Sequence, residues 1–454
     1  MDAPLDARTR ALLEAPIVPT LLRLAIPNVI TTLVQASTGL FEAYFIGMLG
    51  TDALAGTALV MPGIMLMQMM SAGAMGGGVS SAIARALGAG RRDDADALVI
   101  HAFAIAAAFA AVFTLAVVAG GPWLYGALGG RGEVLEAALT YSNVIFSGVI
   151  LLWLFNTLAN ILRGTGNTFV PAVVTTVGAV LLIPLSPCLI FGLGPLPRLG
   201  IVGGAAALLT YYALGSVALA LYLWSGRSPL TPQLGGMRLR WRLFWEILRV
   251  GGAASLVALM TNVTIALTTA LVAAFGPAAL AGYGVAARLE YVLVPLTFGF
   301  GGALVALVGT NIGAGNRDRA KRAAWIGAAI AFVLTEIVGL AAVAAPGALI
   351  GLFGSDPGMI EAGSLYLRTV GPFYGFFGLG MALYFASQGA GRLMWPLLAG
   401  ALRLVLAVGG GLLMLRLTGN LALVFLALAF ALAVFGLTVA GAVASGEWFR
   451  PRAN

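Results

Sequence analysis

The chain has 454 residues, of which 60% are hydrophobic and only 9% are charged, and its formal net charge is +8. Its mean hydropathy is +1.00, whereas about a quarter of the residues in an ordinary soluble domain are charged. This composition excludes a soluble domain and indicates an integral membrane protein. We attribute the basic excess to topology and lipid headgroups rather than to nucleic acid, because the sequence has no basic and aromatic platform.

Apolar runs near the roughly 20 residues that a helix needs to cross a bilayer recur along the whole chain. Because the alternating pattern of a membrane barrel is absent, the fold class is predicted to be all-α. The first nineteen residues lack the apolar core of a signal peptide and are predicted to be a short cytoplasmic lead-in. Twelve transmembrane helices are predicted, at residues 21–46, 53–82, 97–119, 137–162, 169–193, 200–224, 244–274, 279–309, 322–345, 363–387, 395–415 and 421–445.

The basic residues predict the orientation of these helices, because positive residues in short loops stay on the cytoplasmic side. With the amino terminus inside, only Arg131, Arg198, Arg368 and Arg416 fall in outside loops. We therefore expect a multi-pass protein of the bacterial cytoplasmic (inner) membrane with both termini in the cytoplasm.

Three blocks of the first half recur in the second half. Residues 50–56 correspond to residues 276–282 with a shift of 226, and the blocks 88–93 and 163–166 recur with a shift of 225. Six helices per half is an even number, so both halves enter the membrane from the same side. This arrangement is a parallel repeat about an axis along the membrane normal.

The repeat predicts two six-helix lobes. The N-terminal lobe is residues 1–224 and the C-terminal lobe is residues 244–454, while the polar stretch 225–243, rich in proline, glycine and arginine, is typical of a cytoplasmic linker. The glycine-rich turns at 88–90 and 313–315 are predicted to end helices 2 and 8. Neither turn has the spacing or the strand-loop-helix context of a nucleotide-binding motif.

Glu42 is the most unusual residue of helix 1, because it lies in an apolar run from Leu21 to Leu49. A charge at mid-helix costs about 2.5–3.5 kcal/mol on insertion scales, and such a residue by default marks a transport or proton site. Gln35 and Thr38 share its helix face. We predict that Glu42, Gln35 and Thr38 form a proton- or cation-coupling site; a neutral, hydrogen-bonded acid between helices is the alternative.

Helix 7 carries the corresponding polar face. Thr264 and Thr268 take the positions of Thr38 and Glu42 by the shift of 226, and Asn262 lies beside them. Because only the first half keeps the acid, we expect ion coupling in the N-terminal lobe. Asn262, Thr264 and Thr268 are candidates for the substrate cavity.

Further cavity candidates are Met65 and Met69 on helix 2 and Tyr374 on helix 10. Methionine side chains adapt to many shapes, which suits a pocket for varied amphiphiles. Ordinary helix packing is the competing interpretation.

Four other residues carry less specific signals. Glu290 follows Arg288 by two residues and is predicted either to pair with it structurally or to function in transport. Glu336 is interpreted as a second proton site or as a neutral buried acid. His101 is predicted to be solvated near the cytoplasmic surface, and the lone Cys188 to be a small apolar residue without a disulfide.

Four short motifs, at residues 42–50, 87–90, 162–167 and 312–316, accompany the duplicated layout. In this order and at this spacing they resemble the multidrug and toxic compound extrusion (MATE) family, nearer its bacterial DinF-like branch, over essentially the whole chain. The resemblance implies that Glu42 stands where a helix 1 aspartate couples transport to a cation.

The chain also departs from the family pattern. The resemblance implies an asparagine and an aspartate on helix 5, where this chain has Leu182 and Ser186. In the NorM-like branch an aspartate would follow a tyrosine by four residues on helix 10, but Tyr374 is followed at that spacing by Gly378. A sodium site needs several oxygen ligands, so we favour protons over sodium as the coupling ion.

We therefore expect a secondary active antiporter that exports organic cations or amphiphilic drugs by alternating access of its lobes. Its expected partners are a small-molecule substrate and the lipid bilayer, with no cofactor, no metal site and a monomeric state. One histidine and one cysteine without clustered acids do not support an enzyme. A lipid-linked precursor flippase is the alternative; it would be expected to use several arginines, of which Arg288 and Arg403 are the candidates within helices.

Overall fold

The computed structural model describes residues 6–194, 197–233, 238–290, 292–446 and residue 448. Within this part of the chain the regular secondary structure is entirely helical. Residues 1–5 of the predicted lead-in, 234–237 of the predicted linker and 449–454 of the predicted C-terminal lobe lie outside the described residues.

The helices of the first half follow one another with short turns. A π-helical segment, Met69–Met75, joins the third helix to the fourth. The helices are α1 (Ala7–Glu14), α2 (Ile17–Gly47), α3 (Thr51–Gln68), α4 (Gly76–Gly88), α5 (Arg92–Ala127), α6 (Gly132–Ser147), α7 (Val149–Gly164), α8 (Phe169–Phe191) and α9 (Ile201–Trp224).

The second half has the same order of long helices. A second π-helical segment, Val405–Gly410, follows α17. The helices are α10 (Trp241–Ala273), α11 (Pro277–Glu290), α12 (Leu293–Gly313), α13 (Arg317–Ala344), α14 (Pro346–Gly351), α15 (Pro357–Val370), α16 (Tyr374–Ala390), α17 (Met394–Leu404), α18 (Gly411–Thr418) and α19 (Leu421–Ala444).

Eleven helical stretches of the described chain are long and apolar enough to span a membrane, and the pair α6 and α7, bent by 48°, makes a twelfth. The prediction of twelve transmembrane helices is confirmed. Many helices extend beyond the predicted spans; α5, for example, runs to Ala127 where residue 119 was expected. Large apolar side chains such as Leu40 and Trp123 are 75% and 78% exposed, as expected for surfaces that face lipid.

The repeated block 88–93 and its counterpart at 313–318 are helix-ending turns in which equivalent glycines share one backbone conformation. Gly90 and Gly315 are equivalent positions of the repeat, and their φ angles are 72° and 78°. Residues with side chains rarely adopt these left-handed values, which explains why glycine recurs there. The predicted helix stops are confirmed, because α4 ends at Gly88 and α12 at Gly313.

Two compact units make up the described chain. Unit 1 is Ile30–Gly251 together with the described residues before Thr9, and unit 2 is Thr9–Val29 together with the described residues from Gly252 onward. These units differ from the predicted lobes, 1–224 and 244–454, in two places: residues 244–251 of α10 belong to unit 1, and the start of α2 belongs to unit 2. That segment packs in unit 2 because Val29 lies against Gly299, where an added Cβ would be 2.2 Å from the Val29 side chain.

The linker packs onto unit 1 and buries His101. The backbone N–H of Arg240 donates to Nε2 of His101 at 2.8 Å, and Nδ1 lies 2.7 Å from the carbonyl oxygen of Ala97. His101 is therefore fully buried, and the prediction of a solvated side chain is wrong. Linker residue Arg240 thus contacts the ring that the sequence predicted to be solvated.

Candidate functional site

Glu42 lies on α2 within unit 1 and is half-buried. The hydroxyl of Tyr141, on α6, donates to Oε1 of Glu42 at 2.6 Å. Tyr141 itself is 1% exposed. A buried neutral hydroxyl therefore holds one oxygen of the carboxyl group, and no ion pair to Glu42 is seen in the described chain.

A small cavity of about 190 Å³ adjoins this pair. Thr38 and Glu42 contribute from α2, while Leu182 and Ser186 contribute from α8. These two α8 positions are those where the family resemblance implied polar partners for the acid. The hydroxyl of Ser186 is buried with no hydrogen-bond partner among the described residues, so it remains available to the cavity.

The other predicted members of this site are placed differently. The hydroxyl of Thr38 donates to the backbone carbonyl of Gln35 at 2.8 Å, which commits its proton within the helix. Gln35 is half-buried and is not among the residues that line the cavity. Gly204 on α9 provides room beside the acid, since an added Cβ would lie 3.6 Å from Oε1 of Glu42.

Unit 2 contains a larger, partly open cavity, whose empty space of about 400 Å³ includes the part open to solvent. Thr264 and Thr268, two of the residues predicted for a substrate cavity, line it from α10. Glu290 on α11 also faces it and accepts a hydrogen bond from the hydroxyl of Tyr366 on α15. Arg403 on α17 completes the charged part of the lining.

The two cavities occupy corresponding positions of the repeat. Tyr141 and Tyr366 are equivalent by the shift of 225, and each donates to a glutamate. Thr268 corresponds to Glu42 and also lines its cavity, but its side chain is not acidic. In unit 2 the carboxylate comes instead from Glu290, on a different helix.

The sequence predicted Arg288 as a partner for Glu290. In the structure Arg288 is exposed, and the cation that attracts Glu290 is Arg403. Residues two apart on a helix point in different directions, so the short spacing does not bring Arg288 and Glu290 together.

The remaining predicted residues lie at varied positions. Tyr374 is 1% exposed and lies beside Glu290. Met65 is 59% exposed, Asn262 is exposed and donates to the carbonyl of Ala258, and Met69 is half-buried in the π-helical segment. None of these four lines the two cavities described above.

Glu336 has a structural contact. Its Oε2 accepts from the backbone N–H of Gly375 at 2.7 Å. A carboxylate at the first turn of α16 satisfies a free N–H group and interacts favourably with the helix dipole.

A polar network in unit 1 was missed by the sequence reasoning. Nδ2 of Asn156 donates to Ser71 at 2.8 Å and to Gln68 at 3.3 Å, and Asn160 donates to the carbonyl of Ala72 at 3.2 Å. The network lies at the π-helical segment Met69–Met75, a type of irregularity that is frequent at functional sites. The four-residue spacing of the two asparagines was the available signal.

Within the residues that the structure describes, no group of three or more histidine, cysteine, aspartate or glutamate side chains is arranged to hold a metal ion. The acids that face the two cavities, Glu42 and Glu290, each accept a hydrogen bond from a tyrosine.

Comparison with known proteins identifies the family. The MatE family model matches residues 27–188 and 253–413, two stretches that follow the repeat. The "FAD transporter" of Shewanella oneidensis is 30% identical over 403 residues, 87% of each chain. The "Probable multidrug resistance protein NorM" of Deinococcus radiodurans is 30% identical over 404 residues, 83% of this chain and 84% of that protein.

A solved structure supports the fold. It is titled as the outward-facing conformation of a multidrug resistance MATE family transporter of the MOP superfamily, with a TM-score of 0.87 and 24% identity, over 98% of this chain and 100% of that chain. The chain belongs to the MATE family of multi-pass membrane transporters, and it is a transporter rather than an enzyme.

Proposed function

We propose that the chain is a secondary active antiporter that exports amphiphilic organic compounds in exchange for protons, by alternating access of its two lobes. We place it in the bacterial cytoplasmic membrane as a monomer with both termini cytoplasmic and without a cofactor. The observation that carries this proposal is the carboxyl group of Glu42, bound by the neutral Tyr141 and adjoining a cavity.

The environment of Glu42 favours exchange of a positive charge. Burial disfavours an ionised carboxylate unless a cation or hydrogen-bond donors compensate it. The structure provides one hydroxyl donor and, in the described residues, no fixed cation beside Glu42. A proton or a substrate cation can therefore neutralise this group in turn, which couples the two fluxes.

Protons fit this site better than sodium. Sodium is bound by several oxygen atoms at once, and the polar lining here is Thr38, Glu42 and Ser186. Leu182 offers an apolar surface at the remaining position on α8. A single carboxyl group is enough for a proton.

Two substrate classes are supported by the relatives. The Deinococcus radiodurans relative is named for multidrug resistance, which supports the export of drugs. The Shewanella oneidensis relative is named as an FAD transporter, and Arg403 in the unit 2 cavity gives an anionic flavin a partner. Export of flavin nucleotides is therefore the second candidate function. A lipid-linked precursor flippase has less support, because Arg288 lies outside that cavity's lining.

Transport into sealed proteoliposomes tests the proposal. A pH gradient and a sodium gradient are imposed separately, and uptake of a cationic dye and of FAD is measured. We expect the pH gradient to drive uptake and Glu42→Gln to reduce it to the level seen without a gradient. Glu136→Gln, at an exposed acid on α6, is the matched control and should transport normally.

Uptake that depends on neither gradient would contradict the antiporter proposal. Full proton-driven transport by Glu42→Gln would move coupling to another acid, and dependence on sodium alone would overturn the choice of ion.

A further inference from the structure

The unit 2 cavity contains a cation that proton exchange at Glu42 does not use. Arg403 is half-buried on α17, and its guanidinium carbon lies 5.7 Å from the ring centroids of both Phe377 and Phe435. Aromatic faces attract and position a cation without occupying its N–H groups.

The N–H groups of Arg403 are available to a ligand. Among the described residues none forms a hydrogen bond or an ion pair with its guanidinium group; the carboxylate of Glu290 attracts it electrostatically while bonded to Tyr366. A guanidinium group carries five donors in a planar fork that matches carboxylate and phosphate groups. The cavity therefore contains a positioned cation whose N–H donors are not used by the described residues.

A second polar group points to a ligand in the same cavity. Thr268 is 3% exposed and lines the cavity, yet its hydroxyl has no hydrogen-bond partner in the described chain. An unsatisfied buried hydroxyl is costly. A bound oxyanion would accept a hydrogen bond from Thr268 and from Arg403 together.

In unit 1 the described residue at the position equivalent to Arg403 carries no charge. By the shift of 225, Gly178 corresponds to Arg403. The Tyr211 ring fills the space there, since a Cβ added at Gly178 would lie 2.6 Å from its Cε2 atom. Among the described residues, this position of the repeat holds an arginine in unit 2 and a glycine in unit 1.

We infer that the unit 2 cavity binds the anionic group, phosphate or carboxylate, of an organic ligand through Arg403 and Thr268, with Glu290 as the counter-ion when the cavity is empty. The inference deepens the proposed function, on which it rests, by assigning an anionic group to the transported substrate. Glu290 competes with that group for Arg403, so neutralising Glu290 strengthens anion binding.

Equilibrium binding in neutral detergent tests the inference. Flavin mononucleotide and riboflavin share one ring system and differ by a phosphate, and flavin fluorescence reports their binding. We expect the wild-type protein to prefer flavin mononucleotide by about tenfold or more, the scale of charge-assisted hydrogen bonds to a phosphate. Arg403→Gln should abolish the preference, Arg403→Lys should restore part of it, and Glu290→Gln should increase it.

Matched controls separate binding from folding. Arg416→Gln and Glu361→Gln change exposed residues of unit 2 and should keep the wild-type preference, and riboflavin binding by Arg403→Gln shows that the cavity is intact. Displacement of flavin mononucleotide by inorganic phosphate identifies a free-anion site, and displacement by phosphatidylglycerol alone identifies a lipid headgroup site. An undiminished preference in Arg403→Gln would overturn the inference. Because no gradient is applied, this result is independent of whether Glu42 couples transport to protons.

Discussion

In unit 1 a carboxylate from α2 meets a tyrosine from α6, whereas in unit 2 the corresponding tyrosine, on α15, meets a carboxylate from α11. The two tyrosines hold equivalent positions of the repeat, while the acids lie on helices that are not equivalent. Unit 2 also contains Arg403, a positive charge in the cavity lining for which the Glu42 cavity has no counterpart among its lining residues. Equivalent hydrogen-bond donors in the two halves therefore lie in different electrostatic environments.

The largest loss of stability is expected from substitutions at two close-packed glycines that the halves share. Gly164 and Gly389 occupy the same position of the repeat and approach the backbone of α4 and α12: an added Cβ would lie 2.8 Å from the carbonyl oxygen of Ser80 and 2.7 Å from that of Val305. Gly164→Val and Gly389→Val should each destabilise the protein by about 1–3 kcal/mol through overpacking. The measurement is the unfolding midpoint temperature in one detergent.

Gly120→Val and Gly284→Val are the controls, because an added Cβ meets nothing within 4 Å at either glycine. A lower unfolding midpoint for only one of Gly164→Val and Gly389→Val would show that the two halves do not share this close packing.

The next largest effect is expected on dye transport, where the equivalent tyrosines of the two halves should differ. Tyr141→Phe should lower proton-driven dye transport by about tenfold, since a hydrogen bond to a charged group contributes about 1.5–3 kcal/mol. Tyr366→Phe should leave dye transport nearly unchanged, because Glu290 and Arg403 lie outside the proton step. Initial uptake rates into proteoliposomes measure both, and Tyr44→Phe, at an exposed tyrosine of α2, is the control. Equal losses of dye uptake in Tyr141→Phe and Tyr366→Phe would contradict the assignment of proton coupling to the unit 1 cavity alone.

The third effect concerns the linker. His101→Phe removes the acceptor for the N–H of Arg240 and the partner of the Ala97 carbonyl, which should cost about 1–2 kcal/mol of stability. The corresponding residue of unit 2 is Ile326, so Ile326→Phe is a size-matched comparison that removes no polar contact. Thermal unfolding measures both; equal midpoints would argue that the His101 contacts contribute nothing.

The smallest effect concerns Glu336. Glu336→Gln keeps an acceptor for the N–H of Gly375 and should reduce stability by less than about 1 kcal/mol, the scale of a charge near a helix terminus. Proton-driven transport should remain at the wild-type rate. A transport loss as large as that of Glu42→Gln would make Glu336 part of the coupling path.

Much of the fold followed from the sequence, because hydrophobic length and the constant repeat shift are local or periodic signals. The polar faces of Glu42 and of Thr264 with Thr268 followed from helical spacing, and both faces line cavities. The tyrosine partners of Glu42 and Glu290 could not be predicted from the sequence. Tyr141 lies 99 residues from Glu42 and Tyr366 lies 76 residues from Glu290, and such contacts depend on packing.

Two further residues show the same limit. His101 is buried by a linker residue 139 positions away, so its place near the predicted cytoplasmic surface was a misleading signal. Arg403 was noticeable only as an arginine within a helix, because its aromatic neighbours come from α16 and α19. The matching repeat positions of the two tyrosines were the signal that the sequence did contain.

The proposed transport depends on Glu42 exchanging its proton for substrate. Proton release on binding of a cationic dye, measured with a pH indicator in weakly buffered detergent solution, tests it directly. The wild-type protein and Glu290→Gln should each release about one proton per dye bound, and Glu42→Gln should release none. Undiminished proton release from Glu42→Gln would contradict the account.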